Sequence, residues 1–484
     1  MPRLSLMRAW LAPVALVMLV GCSVARSPSL PPMPEVAAPA AWLAPRLPHQ
    51  GGTQQLADWW SRFDDPLLTA SIARAQQLSP NVAAARAQVF AARAALSGAE
   101  QQGRPQLAGA LSGSRAFTDP AVPAATVLSA GVQASWALAL WGEDGARVSA
   151  AQARQDAAGA GWHEARVLVA AEVAQVYFGW WLCRTQLAVA SADSASRQRT
   201  ADTTATTEQA GFTAPAVAAL ARAGAAESRG RVLAVADQCE RQLKALVALT
   251  GQAEPELRAQ LDARPRRDLP LDGLLSVPGV PADVLRQRPD VYRAQRQWVA
   301  AAQSVGLAQA ALLPSLSLTG NLMVNRVRAL GASATLNTWS LGPLTLSLPL
   351  LGRERLNAEV AAAEAAFEAA GSAYAAAVRQ AVSEVEQSLL SLAALADRAQ
   401  AADVAAAGYR RSLAGTESRW GAGLASLAEL EEARRYLLAA DTAALSLRQE
   451  RLAAWLRLYV ALGGGFEPAQ ASAEAPQPLA REPS

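Results

Sequence analysis

Two histidines and three cysteines in 484 residues leave little from which to build a reactive centre. His49 and His163 cannot supply a histidine-based triad or a metal cluster. His163-Glu164-Ala165-Arg166-Val167 lacks the second histidine of a metalloprotease helix, and Gly463-Gly464-Gly465 lacks the lysine of a phosphate loop. An enzyme is therefore not expected, nor a metal. One-sided charge is missing too: 44 basic against 41 acidic residues give a net +3, no polyanion signature, so nucleic acid is not expected as a partner. Aromatics make up only 5% of the chain, which argues against one thick core. No apolar run is long enough to span a bilayer as a helix. What is plentiful is alanine, which carries most of the 51% hydrophobic content. Alanine forms helix readily and lets neighbouring helices approach closely, so long, thin, tightly spaced helices are expected.

Residues 1–21 read as a targeting segment, with Arg3 and Arg8 ahead of the apolar run Ala9 to Val20. Leu19-Val20-Gly21-Cys22 resembles the lipobox of bacterial lipoproteins, in which the cysteine is lipidated and becomes the first residue; an ordinary signal peptide with an incidental cysteine is the alternative. Ser23 after Cys22, in place of Asp, resembles the outer-membrane sorting class. Residues 22–55, rich in Pro, Ala and Ser, read as a lipidated tether. The proline-containing segment 466–484 reads as a disordered tail.

The chain repeats itself. Pro80-Asn81-Val82 opens a helical pattern closed by Pro105, and Pro289-Asp290-Val291 opens another closed by Pro314; both spans are 25 residues and the copies are offset by 209. Leu140-Trp141-Gly142 matches Leu350-Leu351-Gly352, and Ala248-Leu249-Thr250-Gly251 matches Ala461-Leu462-Gly463-Gly464. The two units are bounded at 56–251 and 285–465, with a linker at 252–284. Each unit places a strand region after its first helix. Leu107, Gly109, Leu111 and Gly113, then Val132 to Leu140, alternate with a period of two, as do Leu316 to Val324 and Leu344 to Leu350. Two hairpins, four strands, are expected. Long proline-poor stretches follow, from Gly142 to about Gly211 and from Gly352 to about Gly421, each roughly 100 Å if helical throughout. Each ends in a break and a return helix of about 36 to 40 residues.

Four amphipathic strands cannot close a membrane barrel, since the smallest have about 8 strands and an open edge cannot sit in lipid. Three copies would supply 12. The expected fold is thus an α+β membrane protein: a trimeric 12-stranded β-barrel, four strands per chain, continuous with a long periplasmic α-helical barrel. A periplasmic coiled-coil scaffold without a pore is the alternative.

Several segments carry a family resemblance. Leu285-Arg286-Gln287-Arg288-Pro289-Asp290-Val291, the stretch Gly306 to Leu322, Asp58-Trp59-Trp60, Phe63-Asp64-Asp65-Pro66, Gly342-Pro343, Ala422-Gly423-Leu424-Ala425-Ser426 and Leu458 to Gly465 resemble the outer-membrane efflux factors, the TolC-like family, in its lipoprotein branch. The resemblance implies a trimeric channel-tunnel, the exit duct of a tripartite pump, docked through a periplasmic adaptor (membrane fusion) protein onto a proton-driven inner-membrane transporter. It implies passive export of small molecules such as drugs, no cofactor beyond the lipid on Cys22, and outer-membrane lipid around the barrel. The same duct in protein secretion is the runner-up. Where the family commonly has Glu-Leu-Asp-Leu-Trp-Gly, this chain has Ala137-Leu138-Ala139-Leu140-Trp141-Gly142. The turn Phe212-Thr213-Ala214-Pro215 also departs from the Gly-Leu-Ala-Ser form of the second unit.

Carried over residue by residue, the resemblance puts the periplasmic aperture at Glu429 and Glu432, offset by Arg419 or Arg434, and the adaptor-docking turns at Gly211, Phe212 and Thr213 and at Gly421, Gly423, Leu424 and Ser426. An ordinary solvated face is the other reading of the Glu-Arg run. Cys183 and Cys239 lie 28 residues either side of Gly211, at one height on antiparallel helices, and an oxidising periplasm makes a disulfide the expected outcome; two buried thiols are the alternative. Trp136, Trp141 and Trp339, near strand ends, read as membrane-interface aromatics or as packing against the helical collar.

Overall fold

The computed structural model describes residues 42–44, 59–117, 124–264, 288–329 and 331–467. Cys22 lies outside them, as does most of the expected tether and tail.

After a 3-10 turn at Trp59–Phe63, helix α1 (Pro66–Leu78) starts on Asp65, whose carboxylate accepts from the backbone N–H groups of Leu67 and Leu68 at 3.0 and 3.2 Å. Helix α2 (Pro80–Gln102) follows on the N-cap Ser79. Both carry proline in the first turn, where its missing N–H removes nothing. Strands β1 (Gln106–Ala116) and β2 (Ala125–Leu138) form the first hairpin, then α3 (Glu143–Gln209) and α4 (Pro215–Thr250) the first helical pair. The second unit repeats the order with α6 (Pro289–Ala310), β3 (Ser315–Ala329), β4 (Ala332–Ser347), α7 (Arg353–Gly421) and α8 (Leu427–Ala461). The rods have 67 and 69 residues and the return helices 36 and 35.

Gly142 and Gly352 precede the rods at φ +80° and +76°. A left-handed residue is needed at both strand-to-rod junctions, and glycine takes it without strain.

Several boundaries differ from the sequence reading. All four strands run further toward the hairpin ends, β4 starting at Ala332 and not near Leu344, because those stretches carry small and polar residues that weaken the hydrophobic alternation. The linker opens with a helix, α5 (Glu254–Asp262). The tether is fastened where it is described: Leu43 and Ala44 donate their backbone N–H groups to the two carboxylate oxygens of Glu386 at 2.7 and 2.8 Å. At the other end, Phe466 is only 3% exposed against Ala160 and Tyr292, so the fold extends beyond the expected start of the tail.

The main core lies halfway along the rods. Trp59, Trp60 and Phe63 pack there with Tyr177, Phe178 and Trp180 of α3, Leu243 and Leu246 of α4, and Trp455 and Tyr459 of α8. Trp59 stacks on Tyr459 with ring centroids 4.7 Å apart. Elsewhere the helices meet through alanines, such as Ala150, Ala153, Ala157 and Ala160 on α3. Cys183 and Cys239 are joined by a disulfide across α3 and α4, with a Cα–Cα distance of 5.5 Å.

Candidate functional site

The sheet is antiparallel throughout, in the order β1-β2-β3-β4, with no partner strand beyond β1 or β4 within the chain among the described residues. Paired residues share a face, so the register sorts every side chain. One face carries Leu107, Ala134, Gly320 and Leu341 in one row, and Gly109, Val132, Leu322 and Trp339 in the next. Toward the helices it continues through Trp136, Leu318 and Leu344 and then Leu138, Leu316 and Leu346. This face is bare: Trp339 is 77% and Leu346 63% exposed. An apolar sheet surface of this extent does not stand in water.

The other face is lined mostly by small and polar residues, including Ser112, Ser129 and Asn325 in one row and Gln133, Asn321 and Ser340 in another; Met323 and Leu336 are its larger apolar members. It carries no charge among the described residues. Gly131 is held tight: a Cβ there would collide with the backbone carbonyl of Leu322.

The paired strand ends Ala116/Ala125 and Ala329/Ala332 are at the end of the sheet away from the helices. At the helical end, the Trp136 indole donates to the Gly103 carbonyl at 3.1 Å and Trp141 to that of Pro314 at 2.8 Å, tying the sheet base to the ends of α2 and α6. Trp339 stands within the apolar band.

The two helical tips share one backbone form despite unlike sequences. Gly211 N–H donates to Glu208 and Phe212 to Thr207; Gly423 donates to Trp420 and Leu424 to Arg419. Gly211 therefore corresponds to Gly423, while Gly421 is the last residue of α7. Ser426 caps α8 in a capping box with Glu429; its counterpart Ala214 has no side-chain cap, and Pro215 follows it. Thr213 shares a hydroxyl hydrogen bond with Thr207 at 2.7 Å. Phe212 and Leu424 project from the tips at 87% and 71% exposure.

Of the charged tip residues, Glu429 accepts from the Ser426 backbone N–H at 2.6 Å and pairs with Arg419 at 3.4 Å; the Ser426 hydrogen bonds and the Arg419 charge hold its carboxyl below the ordinary value. Glu432 accepts from Tyr436. Arg434 is buried: it donates to Glu431 at 2.9 Å and to the Thr200 hydroxyl at 2.8 Å. Glu431 also takes Arg197, which in turn holds both oxygens of Asp193. This cluster bolts α3 to α8. Sequence reasoning missed Glu431, Arg197 and Asp193 as a group, because 234 residues separate Arg197 from Glu431 and no local pattern links them.

A third buried arginine, besides Arg197 and Arg434, ties α6, α7 and α8 of the second unit together. Arg288 donates to both Asp290 oxygens at 2.9 and 2.7 Å, to Glu384 at 2.7 Å and to the Ala461 carbonyl at 2.8 Å. Burial opposes the Asp290 charge, but the Arg288 hydrogen bonds and charge outweigh it and hold that carboxyl below its ordinary value. In the main core, burial pushes the Tyr177 phenol up to about 12; its hydroxyl donates to Asp65 at 2.5 Å. Among the described residues no helix is long and apolar enough to cross a membrane.

A sheet with one lipid-compatible face, set on helical hairpins whose rods are some 100 Å long, defines the class: an outer-membrane channel protein with a long helical extension. The family pattern of the outer membrane efflux proteins matches residues 71–252 and 280–464, and the chain belongs to that family. It is an outer-membrane efflux duct. Among characterised relatives, it is 29% identical over 445 residues to the pyoverdine export outer membrane protein OpmQ of Pseudomonas aeruginosa, covering 89% of this chain and 92% of that one. It is 25% identical over 425 residues to nodulation protein T of Rhizobium leguminosarum bv. viciae, covering 86% of each. Its fold is similar to that of the outer-membrane channel OprN, at a TM-score of 0.78 and 23% identity over 90% of this chain and 99% of that one. It is also similar to the Campylobacter jejuni CmeC outer membrane channel, at 0.76 and 22% over 90% and 98%.

Proposed function

We propose that three copies of the chain close their sheets into a 12-stranded barrel, with the helical hairpins forming a tube beneath it, and that this homotrimer lets small molecules such as drugs leave the cell passively. One observation carries the reading: the sheet pairs a bare apolar face with a small, uncharged, mostly polar face and has two open edges. Lipid does not tolerate unpaired edges, so the sheet must be completed by other copies. The apolar face then meets outer-membrane lipid and the polar face lines the lumen, which selects weakly among solutes.

In this reading a periplasmic adaptor docks on the helical tips, where Phe212 and Leu424 offer exposed apolar side chains, and an inner-membrane proton-driven transporter supplies cargo and energy. Glu429, Glu432 and Arg419 mark the periplasmic aperture, with Glu429 partly neutralised by Arg419, while the burial of Arg434 against Glu431 and Thr200 takes it out of that group. A lipid on Cys22 tethers each chain from within the periplasm.

The test is the native mass of full-length protein extracted in detergent from outer membranes, with conductance in planar bilayers. A species of three lipidated chains that conducts is the expected result. A monomer, or a protein that leaves bilayers silent, would favour the scaffold without a pore.

A further inference from the structure

The four strands contain three charged residues, all arginine: Arg115, Arg326 and Arg328. The register puts all three on the apolar face. Arg115 pairs with Thr126, which pairs with Arg328, in one row; Arg326 lies opposite Leu128 two residues nearer the helices. Both rows are at the hairpin end. All three arginines are exposed, and none has an ion-pair or hydrogen-bond partner among the described residues.

Cationic side chains on a lipid-facing wall are costly at mid-bilayer and nearly free at its edge. From Leu316 to Arg326 is ten residues. At about 3.3 Å per residue and a tilt of about 40°, that is a height of about 25 Å, the apolar band of an outer-membrane barrel. The arginines therefore stand where hydrocarbon gives way to headgroups on the outer side.

We propose that Arg115, Arg326 and Arg328 form a docking rim for the phosphate groups of a phosphorylated glycolipid in the outer leaflet. The inference rests on the barrel reading above. Two neighbouring strand rows set the guanidinium groups within the reach of one diphosphorylated headgroup, since alternate strands lie about 9.6 Å apart and alternate residues about 6.6 Å. Guanidinium is the group suited to bidentate phosphate contacts. Continuity with the leucines below points to a lipid and not a soluble anion: acyl chains would lie on Leu322, Val132 and Leu111 while the headgroup meets the arginines.

The full-length protein is reconstituted in phosphatidylethanolamine vesicles containing diphosphoryl lipid A, re-extracted, and its retained lipid A counted by native mass spectrometry. Wild type is expected to retain lipid A, and the R115Q/R326Q/R328Q variant at least about tenfold less, in keeping with about 1 kcal/mol per surface cation. The corresponding lysine variant should recover part of the binding. Dephosphorylated lipid A should not distinguish wild type from variant. Excess inorganic phosphate should leave retention unchanged; if it strips lipid A through the same arginines, the site is a soluble-anion site and the glycolipid assignment falls. Equal retention by trimeric wild type and trimeric glutamine variant overturns the rim alone. A wild type that is monomeric in the vesicles overturns the barrel and the rim together. Should the triple variant fail to insert, Arg115→Gln, Arg326→Gln and Arg328→Gln are tested singly, each expected to lower retention.

Discussion

Replacing Glu431 by Gln tests the bolt between the two helical hairpins. Arg197 and Arg434 have side chains 5% and 6% exposed and both rely on Glu431, itself 14% exposed. Their losses would be unequal. Arg197 keeps both oxygens of Asp193 at 3.0 and 3.1 Å, whereas Arg434 keeps the Thr200 hydroxyl and a 3.7 Å contact with the half-exposed Glu417. Removing one partner of a buried pair costs about 3 to 5 kcal/mol, and the surviving contacts put this case near the lower figure. Because the damage is local, hydrogen exchange is the right assay: about 3 kcal/mol lowers the protection of tip amides in α3 and α8 about a hundredfold. Amides near the Cys183–Cys239 bridge should be unchanged. Pairing Glu431→Gln with Arg434→Met should restore much of the protection, since the arginine left with the fewer partners, and its stranded charge, is then gone. A single variant whose tip protection falls less than about threefold would refute the reasoning, because the arginines would then not depend on Glu431.

Arg288→Met strands Asp290, Glu384 and the Ala461 carbonyl, and should lower stability by about 3 kcal/mol, read from denaturant unfolding of detergent-solubilised protein. Because the Asp290 pKa is depressed in the folded protein, its contribution is complete above the ordinary value of 3.8 and disappears as pH falls through the depressed one; this acid-side loss should be absent in the variant. Cys239→Ser opens a bridge between residues 56 apart, worth up to about 4 kcal/mol by loop entropy, and should lower the thermal midpoint, while unreduced wild type should show no thiol at either cysteine by mass spectrometry. Gly131→Ala drives a methyl into the Leu322 carbonyl, so the sheet must shift and the yield of assembled protein in isolated outer membranes should drop sharply.

The rods, the hairpins and the level of the two cysteines were legible because each depends on local periodicity or on counting residues. Alanine without proline from Gly142 to Gly211 fixes a continuous helix whatever packs on it. The strand ends were less legible, since Ser333, Thr335 and Asn337 signal neither face strongly, and only pairing with Arg328, Arg326 and Val324 assigns them. Least legible were the ionic contacts. The Arg288-Pro289-Asp290 segment stood out only as a mark of the family, and the contacts of Arg288 with Glu384 and Ala461 could be found only by folding the chain. The tip cluster gave no hint at all, since the Glu-Arg run looks the same whether solvated or buried. Glycine told more: Gly142 and Gly352 occupy equivalent junctions with nearly the same φ.

The open edges of the sheet set a constraint on the life of a single chain. Strands β1 and β4, of 11 and 16 residues, present free backbone groups along edges interrupted only by Arg115 on β1 and Pro343 on β4. Until it meets its neighbours, each newly exported chain is therefore a template for any extended polypeptide nearby. Assembly has to outrun that encounter. When synthesis exceeds insertion, the surplus is expected to accumulate as β-rich aggregate and not as a pool of soluble subunits, and under the proposed assembly the yield of finished ducts depends on how quickly three chains find one another.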